Sequence, residues 1–367
     1  MIETSAVKLC PCASVAKSEL PQRHKGTVFM RSSRQIYFSE VKVSLLPKMQ
    51  TITDTDISKA VELLKKGELV AIPTETVYGL AANALNPDAV LKIFETKGRP
   101  SFNPLIVHVH DVREFRKYVK EVPELIKTLA EKFSPGPITF VLPKKNIIPD
   151  IVTGGGDTVA LRIPGHPLTL KLLSQLDFPL AAPSANPFGY ISPVDARHVK
   201  DQLDGKIPYI LDGGQCMIGI ESTVVTVIDK KLIVFRLGGV SLEDLKEVVG
   251  EVELRINNFS NPNSPGQLKS HYAPRIPLRL GKIKELMGKY SGKKIAILSF
   301  TKNYSEECFA NQVLSYSGDL HEAARNLFTA LRKLDNSEAE IILAEKFPDH
   351  GLGLAINDRL ERASAEV

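Results

Sequence analysis

A strand-length apolar run that stops at a proline and opens straight into polar residues is the feature that most constrains this chain. Glu68-Leu-Val-Ala-Ile72 reads as a buried strand, and Pro73-Thr74-Glu75-Thr76-Val77-Tyr78-Gly79-Leu80 follows with no spacer. Open α/β sheets place their ligand sites at such strand ends. Residues 88–96 then read as a short amphipathic helix that delivers Lys97 and Arg99 at its C-terminal end. Two fixed cations one residue apart suit a polyanion, and Arg99 offers a planar donor fork that matches phosphate.

The same design recurs. Ala181-Ala-Pro-Ser184-Ala-Asn186 and Gly219-Ile-Glu-Ser222-Thr223-Val224 each lead from an apolar run into a small polar cluster. Between these motifs the pattern alternates. Helical periodicity is read at 56–66, 123–133, 167–176, 195–203 and 242–249. Strands are read at 105–110, 138–142, 159–163, 179–182, 209–211, 223–228 and 232–236. Ser241-x-x-Asp244 has the spacing of a capping box. Such short intervals predict an α/β fold with a twisted mixed sheet and flanking helices, not a regular βαβ array. Residues 250–277 are polar and rich in Asn, Ser and Pro, which reads as a linker or lid. Residues 278–367 give strand–helix–strand–helix, the pattern of a smaller Rossmann-like α/β domain. Residues 1–48 are basic and lack sustained periodicity, so they read as a disordered extension ahead of a larger domain at 49–249.

Bulk properties exclude several classes. Hydrophobic residues make up 43% of the 367, enough for a core, yet every apolar run is broken before membrane-spanning length. Cys10, Cys12, Cys216 and Cys308 have no zinc or disulfide spacing, which fits a reducing cytoplasm. The net charge of +5 is compatible with a nucleotide or an RNA and identifies neither. The chain contains no GxxxxGK[ST], HExxH or GxSxG motif, and no nucleophile–base pair is visible. Chemistry driven by positioning and charge neutralisation fits that pattern, and adenylyl transfer is such a reaction.

Taken together with Thr158-Val-Ala-Leu-Arg162-Ile-Pro, these motifs resemble the YrdC-domain family, the L-threonylcarbamoyladenylate synthases. That family pairs a Lys-x-Arg with a later Ser-x-Asn, present here as Lys97/Arg99 and Ser184/Asn186. The resemblance extends from about residue 51 to 239 and continues through Ser264-Pro-Gly-Gln-Leu-Lys-Ser-His-Tyr-Ala-Pro274, which looks like the linker of the family's long form. It implies synthesis of threonylcarbamoyl-adenylate and pyrophosphate from L-threonine, bicarbonate and ATP, for tRNA modification. A separate downstream transferase would use the product, with at most weak tRNA contact by this chain. By resemblance, Lys97 and Arg99 are the catalytic cations on the triphosphate, joined in ATP binding by Thr158, Ser184, Asn186, Ser192 and Arg236. Threonine recognition falls to Thr74, His108, Arg162 and Ser222, and Mg2+ would arrive bridging phosphate oxygens, with its ligands unassigned. The family's linker commonly carries an aromatic where Lys269 stands here, while His271 and Tyr272 remain.

Each assignment has a duller counterpart. Lys97 and Arg99 also fit a solvated helix end. Arg162 lies among apolar residues and needs either a bound carboxylate, the reading preferred here, or an internal salt bridge. Thr74 and Thr76 can cap or pack, Ser184 and Asn186 can form turns beside Pro183 and Pro187, and a strand His is usually structural. Gly154-Gly-Gly156 suits an anion or a turn equally, and Glu75 and Glu221 are the carboxylates nearest the motifs. Two rival functions stand beside the synthase. One is an RNA-binding or ribosome-associated module on the same basic face, which the absence of Trp and the 7% aromatic content disfavour. The other is a carbamoyl-adenylate enzyme using carbamoyl phosphate, whose usual companion segments are not visible.

Overall fold

The computed structural model describes residues 50–256 and 271–365. The extension at 1–48 and the linker positions Gln267 to Ser270, with Lys269 among them, lie outside the described residues. Across the larger sheet the strands run Ile52–Asp54, Tyr209–Leu211, Val70–Ile72, Gly79–Asn83, Leu180–Ala181, Ile106–His108, Thr158–Arg162, Ile138–Pro143, Thr223–Ile228, Lys231–Arg236 and Val252–Leu254. Pairing is mixed. Val70–Ile72 is antiparallel to Gly79–Asn83, whereas Ile106–His108 is parallel to Thr158–Arg162 and sets His108 opposite Arg162. The twisted mixed sheet with flanking helices expected from the sequence is the fold observed.

Hydrophobic burial explains which elements were readable. The central strands bury both faces, as at Val70, Ala71 and Ile72, and so read as continuous apolar runs. Gly79–Asn83 is a strand that patterning did not suggest. Its Gly-Leu-Ala-Ala-Asn sequence lacks the β-branched and aromatic residues that mark strands, and its place is set by neighbours on both sides. Val252–Leu254 likewise falls within the stretch read as linker, yet pairs in parallel with Leu232, Ile233 and Val234. Helix ends follow local chemistry. Asn86 caps the helix Pro87–Lys97, and Gly98 at φ 62° stops it. The capping box at Ser241 and Asp244 forms with both reciprocal bonds.

The second sheet is all parallel, in the order Leu278–Leu280, Ile341–Ala344, Ile295–Ser299, Ala310–Val313. Its helices Leu320–Asp335 and Leu352–Ser364 bury apolar faces in a core continuous with that of the first sheet. No helix among the described residues is long and apolar enough to cross a membrane.

Candidate functional site

The motifs converge because strand ends from distant parts of the sequence meet on the sheet. Thr74, Arg99, His108, Arg162, Ser184 and Arg236 line one cleft, together with Glu221, His271 and Tyr272. Lys97, Asn186, Ser192 and Ser222 are buried and stand behind that wall. Thr158 is exposed at the start of its strand and lines a separate cavity with Phe102 and Gly154, Gly155 and Gly156. Thr158 is therefore the one predicted site residue that the fold sets apart. The glycine run is a turn: at Gly154, φ is 60° and a Cβ would come within 2.4 Å of the Phe102 carbonyl oxygen.

Lys97-x-Arg99 and Ser184-x-Asn186 form one constellation. Helix termination at Gly98 turns the chain, and Lys97 and Arg99 bond to different partners. The Lys97 ammonium donates to the Ser184 carbonyl at 2.5 Å and to the Asn186 carbonyl. Asn186 in turn donates its side-chain amide to Pro187 and Tyr190 carbonyls, so the turn-forming reading of this residue holds as well. Arg99 donates to the Asn103 and Pro104 carbonyls and to Asn103 Oδ1 at 2.7 Å, and lies over the Phe188 ring. The solvated-helix-end reading fails, because Lys97 and Arg99 are both buried.

Burial without a carboxylate leaves these cations under stress. Desolvation, then the neighbouring Arg99, pushes the Lys97 ammonium well below the usual lysine range. Desolvation also brings the Arg99 guanidinium down to about 9 and lowers Arg236. His108 is held down to about 3 by burial and then by Arg162, and its Nδ1 has no partner. His271 is depressed by burial and then by Arg99, Lys97 and Arg236, and its Nδ1 is likewise unpartnered. Burial that disfavours the charged forms of Lys97, Arg99 and Arg236 is a strain that an incoming polyanion would relax.

The surroundings of Arg162 behave differently. Arg162 donates to Glu75 Oε1 at 2.7 Å and to the Thr76 hydroxyl at 2.9 Å, while Glu75 Oε2 accepts from the Gly165 amide. Of the two ways to satisfy Arg162, the internal salt bridge is the one present, so a substrate carboxylate would have to share the guanidinium with Glu75. The Thr74 hydroxyl accepts from the Thr76 and Val77 amides and donates to the Val77 carbonyl, which makes it a turn former at the cleft wall. Arg236 donates to the Ser222 carbonyl and hydroxyl, and Ser222 also bonds Thr139.

Several residues escaped sequence reading. Asn103 fixes Arg99 but stands in an unremarkable Pro-Ser-Phe-Asn-Pro stretch with no motif signal. Glu221 stands out in the sequence only as a carboxylate beside Ser222. It accepts the Ser192 hydroxyl at 2.6 Å and pairs with Arg359 of the last helix at 3.1 Å. Tyr272 stacks on Phe328, its backbone held at φ 62°.

Comparison with known proteins gives a consistent picture. A family model described as "Telomere recombination", covering the Sua5, YciO and YrdC proteins, matches residues 62–238, and one described as "Threonylcarbamoyl-AMP synthase, C-terminal domain" matches 240–365. The threonylcarbamoyl-AMP synthase of Pyrococcus abyssi is 42% identical over 86% of this chain and 96% of its own length. The Bacillus subtilis protein of the same name is 41% identical over 85% and 93%. A crystal structure of the P. abyssi protein, solved with L-threonine, superposes with a TM-score of 0.81 at 40% identity, covering 86% of this chain and 98% of that one.

Proposed function

The chain belongs to the threonylcarbamoyl-AMP synthase family, and from that premise we infer that its cleft joins L-threonine, bicarbonate and ATP into threonylcarbamoyl-adenylate. The threonine amine combines with bicarbonate to give a carbamate and water. A carbamate oxygen then attacks the α-phosphorus, the bond to the β-phosphate oxygen breaks, and pyrophosphate leaves. This enzyme function is a nucleotidyl transfer, and it asks the protein for placement and charge, not for a covalent nucleophile.

The observation that carries the reading is the set of buried cations around the cleft, with Lys97 and Arg99 bonded to neutral oxygens. Arg99 and Arg236, with Ser184 beside them, would take the triphosphate, and Lys97 would support the same wall from behind. Arg162 would orient the threonine carboxylate. His108, kept neutral, would act as a hydrogen-bond acceptor for substrate instead of as a proton-transfer base, since a group held near 3 is a weak base at neutral pH. Thr158 would contribute only if ATP reached beyond the cleft.

Magnesium enters as part of the MgATP substrate. The donor set does not suit a resident ion: no group of three metal-ligating side chains occurs among the described residues. Glu75 and Glu221, the nearest carboxylates, are committed to Arg162 and Arg359. The product would pass to a separate transferase that modifies tRNA, in the cytoplasm that the free Cys216 and Cys308 suit. Pyrophosphate release from MgATP that requires both L-threonine and bicarbonate is the expected result. Release independent of either, or none from folded protein, would overturn the reading.

A further inference from the structure

Two arginines of the smaller domain bond to residues in and around the cleft wall. Arg332, on the helix Leu320–Asp335, donates to the Ile191 carbonyl at 2.5 Å and weakly to the Ser192 carbonyl at 3.4 Å. Arg359, on the helix Leu352–Ser364, is fully buried. It donates to Glu221 Oε2 at 3.1 Å and to the Leu237 carbonyl at 2.7 Å, and lies over the Tyr272 ring. Those two partners flank Ser222 and Arg236 in sequence, the pair already joined by hydrogen bonds at the cleft. The other Glu221 oxygen accepts the Ser192 hydroxyl. One guanidinium thus touches the neighbours of Ser222 and Arg236 and, through Glu221, the Ser192 hydroxyl.

We propose that Arg359 is a positioning residue for nucleotide binding, acting from the smaller domain by keeping the Glu221 carboxylate away from Arg236 and aligned with Ser192. Glu221 lies within electrostatic reach of Arg236. Without Arg359, a buried carboxylate lacking its cation would be drawn to Arg236, which lines the same cleft, and would compete there with phosphate. The harm from losing Arg359 therefore comes through Glu221, and removing the carboxylate as well should undo most of it. This inference rests on the cleft being the ATP site.

The test measures KM for ATP and for L-threonine separately, by pyrophosphate release from the full-length protein. Arg359→Met should raise KM for ATP about tenfold or more while moving KM for threonine less than threefold. The double variant Glu221→Gln with Arg359→Met should return KM for ATP to within about threefold of the parent. A double variant that folds but stays as impaired as Arg359→Met, or an Arg359→Met enzyme with unchanged KM for ATP, would overturn the proposal. If Arg359→Met does not fold, the double variant alone decides, since near-parental KM for ATP is still required of it. Arg99→Ala run alongside separates the two readings: if it binds a non-hydrolysable ATP analogue as well as the parent does, the ATP site has been misplaced, whatever Arg359 does.

Discussion

Two walls of one cleft solve the problem of a buried cation in opposite ways. Arg162 is neutralised inside the protein by Glu75, at 2.7 Å. Lys97 and Arg99 are equally buried but rest on carbonyl and amide oxygens, with no carboxylate in salt-bridge range among the described residues. A paired cation is oriented and largely satisfied before substrate arrives. A cation bonded to neutral oxygens keeps its charge available, and the cost of that burial is recovered when an anion binds. Under the proposed function, the paired wall would meet the small zwitterion and the unpaired wall the polyphosphate.

Breaking the Lys97/Arg99 wall should have the largest effect. Arg99→Ala and Lys97→Ala are each expected to lower turnover by about a hundred- to a thousandfold, the range seen when a preorganised charge contact is removed. Lys97→Ala should also lose roughly 1–3 kcal/mol of stability, because the Ser184 and Asn186 carbonyls lose their donor. The fold should nevertheless persist. Near-normal turnover in either variant would erase the distinction between the walls.

Glu75→Gln probes the paired wall. It leaves Arg162 buried with a neutral partner and should cost about 3 kcal/mol in chemical denaturation, with KM for threonine changing more than KM for ATP. An unaltered unfolding midpoint would mean that the Arg162–Glu75 pair is not the anchor described above.

Inorganic triphosphate without threonine sharpens the comparison. At a hundredfold excess over its Kd it should stabilise the protein by about 2.7 kcal/mol. The resulting rise in Tm should be absent in Arg99→Ala but retained in Glu75→Gln.

A further effect concerns pH. Folded protein keeps His108 neutral to about 3, whereas an unfolded chain protonates it below its ordinary value of 6.5. As pH falls through 6.5 the unfolded state gains a proton that the native state refuses. Stability should therefore decline on acidification, by at most about 1.4 kcal/mol per pH unit for this group. His108→Gln should flatten the curve between pH 6 and 4. A slope identical to the parent's would show that His108 is not held neutral.

Legibility in the sequence followed the range of the interactions. The strand at Tyr209–Leu211 and the capping box at Ser241 were readable because side chains a few residues apart produce them. The strand Gly79–Asn83 was not, since its small residues acquire strand character only from the partners on either side. Within the site, spacing marked Lys97, Arg99, Ser184 and Asn186, while nothing local marked Asn103 as the holder of Arg99. Thr158 sits close to Arg162 in sequence, yet four residues along a strand carry it from the cleft to another cavity.

By itself, then, the sequence determined the apolar strands and amphipathic helices of the larger sheet, the helix stop at Gly98 and the family to which the motifs belong. Each of these is encoded in local periodicity, in a backbone preference or in short spacings. Only the tertiary structure decided that Arg162 is paired, that Lys97 and Arg99 are not, and that Arg359 meets Glu221 across 138 positions of chain. Charge pairing depends on which groups burial brings within a few ångströms of each other, and no local pattern carries that information.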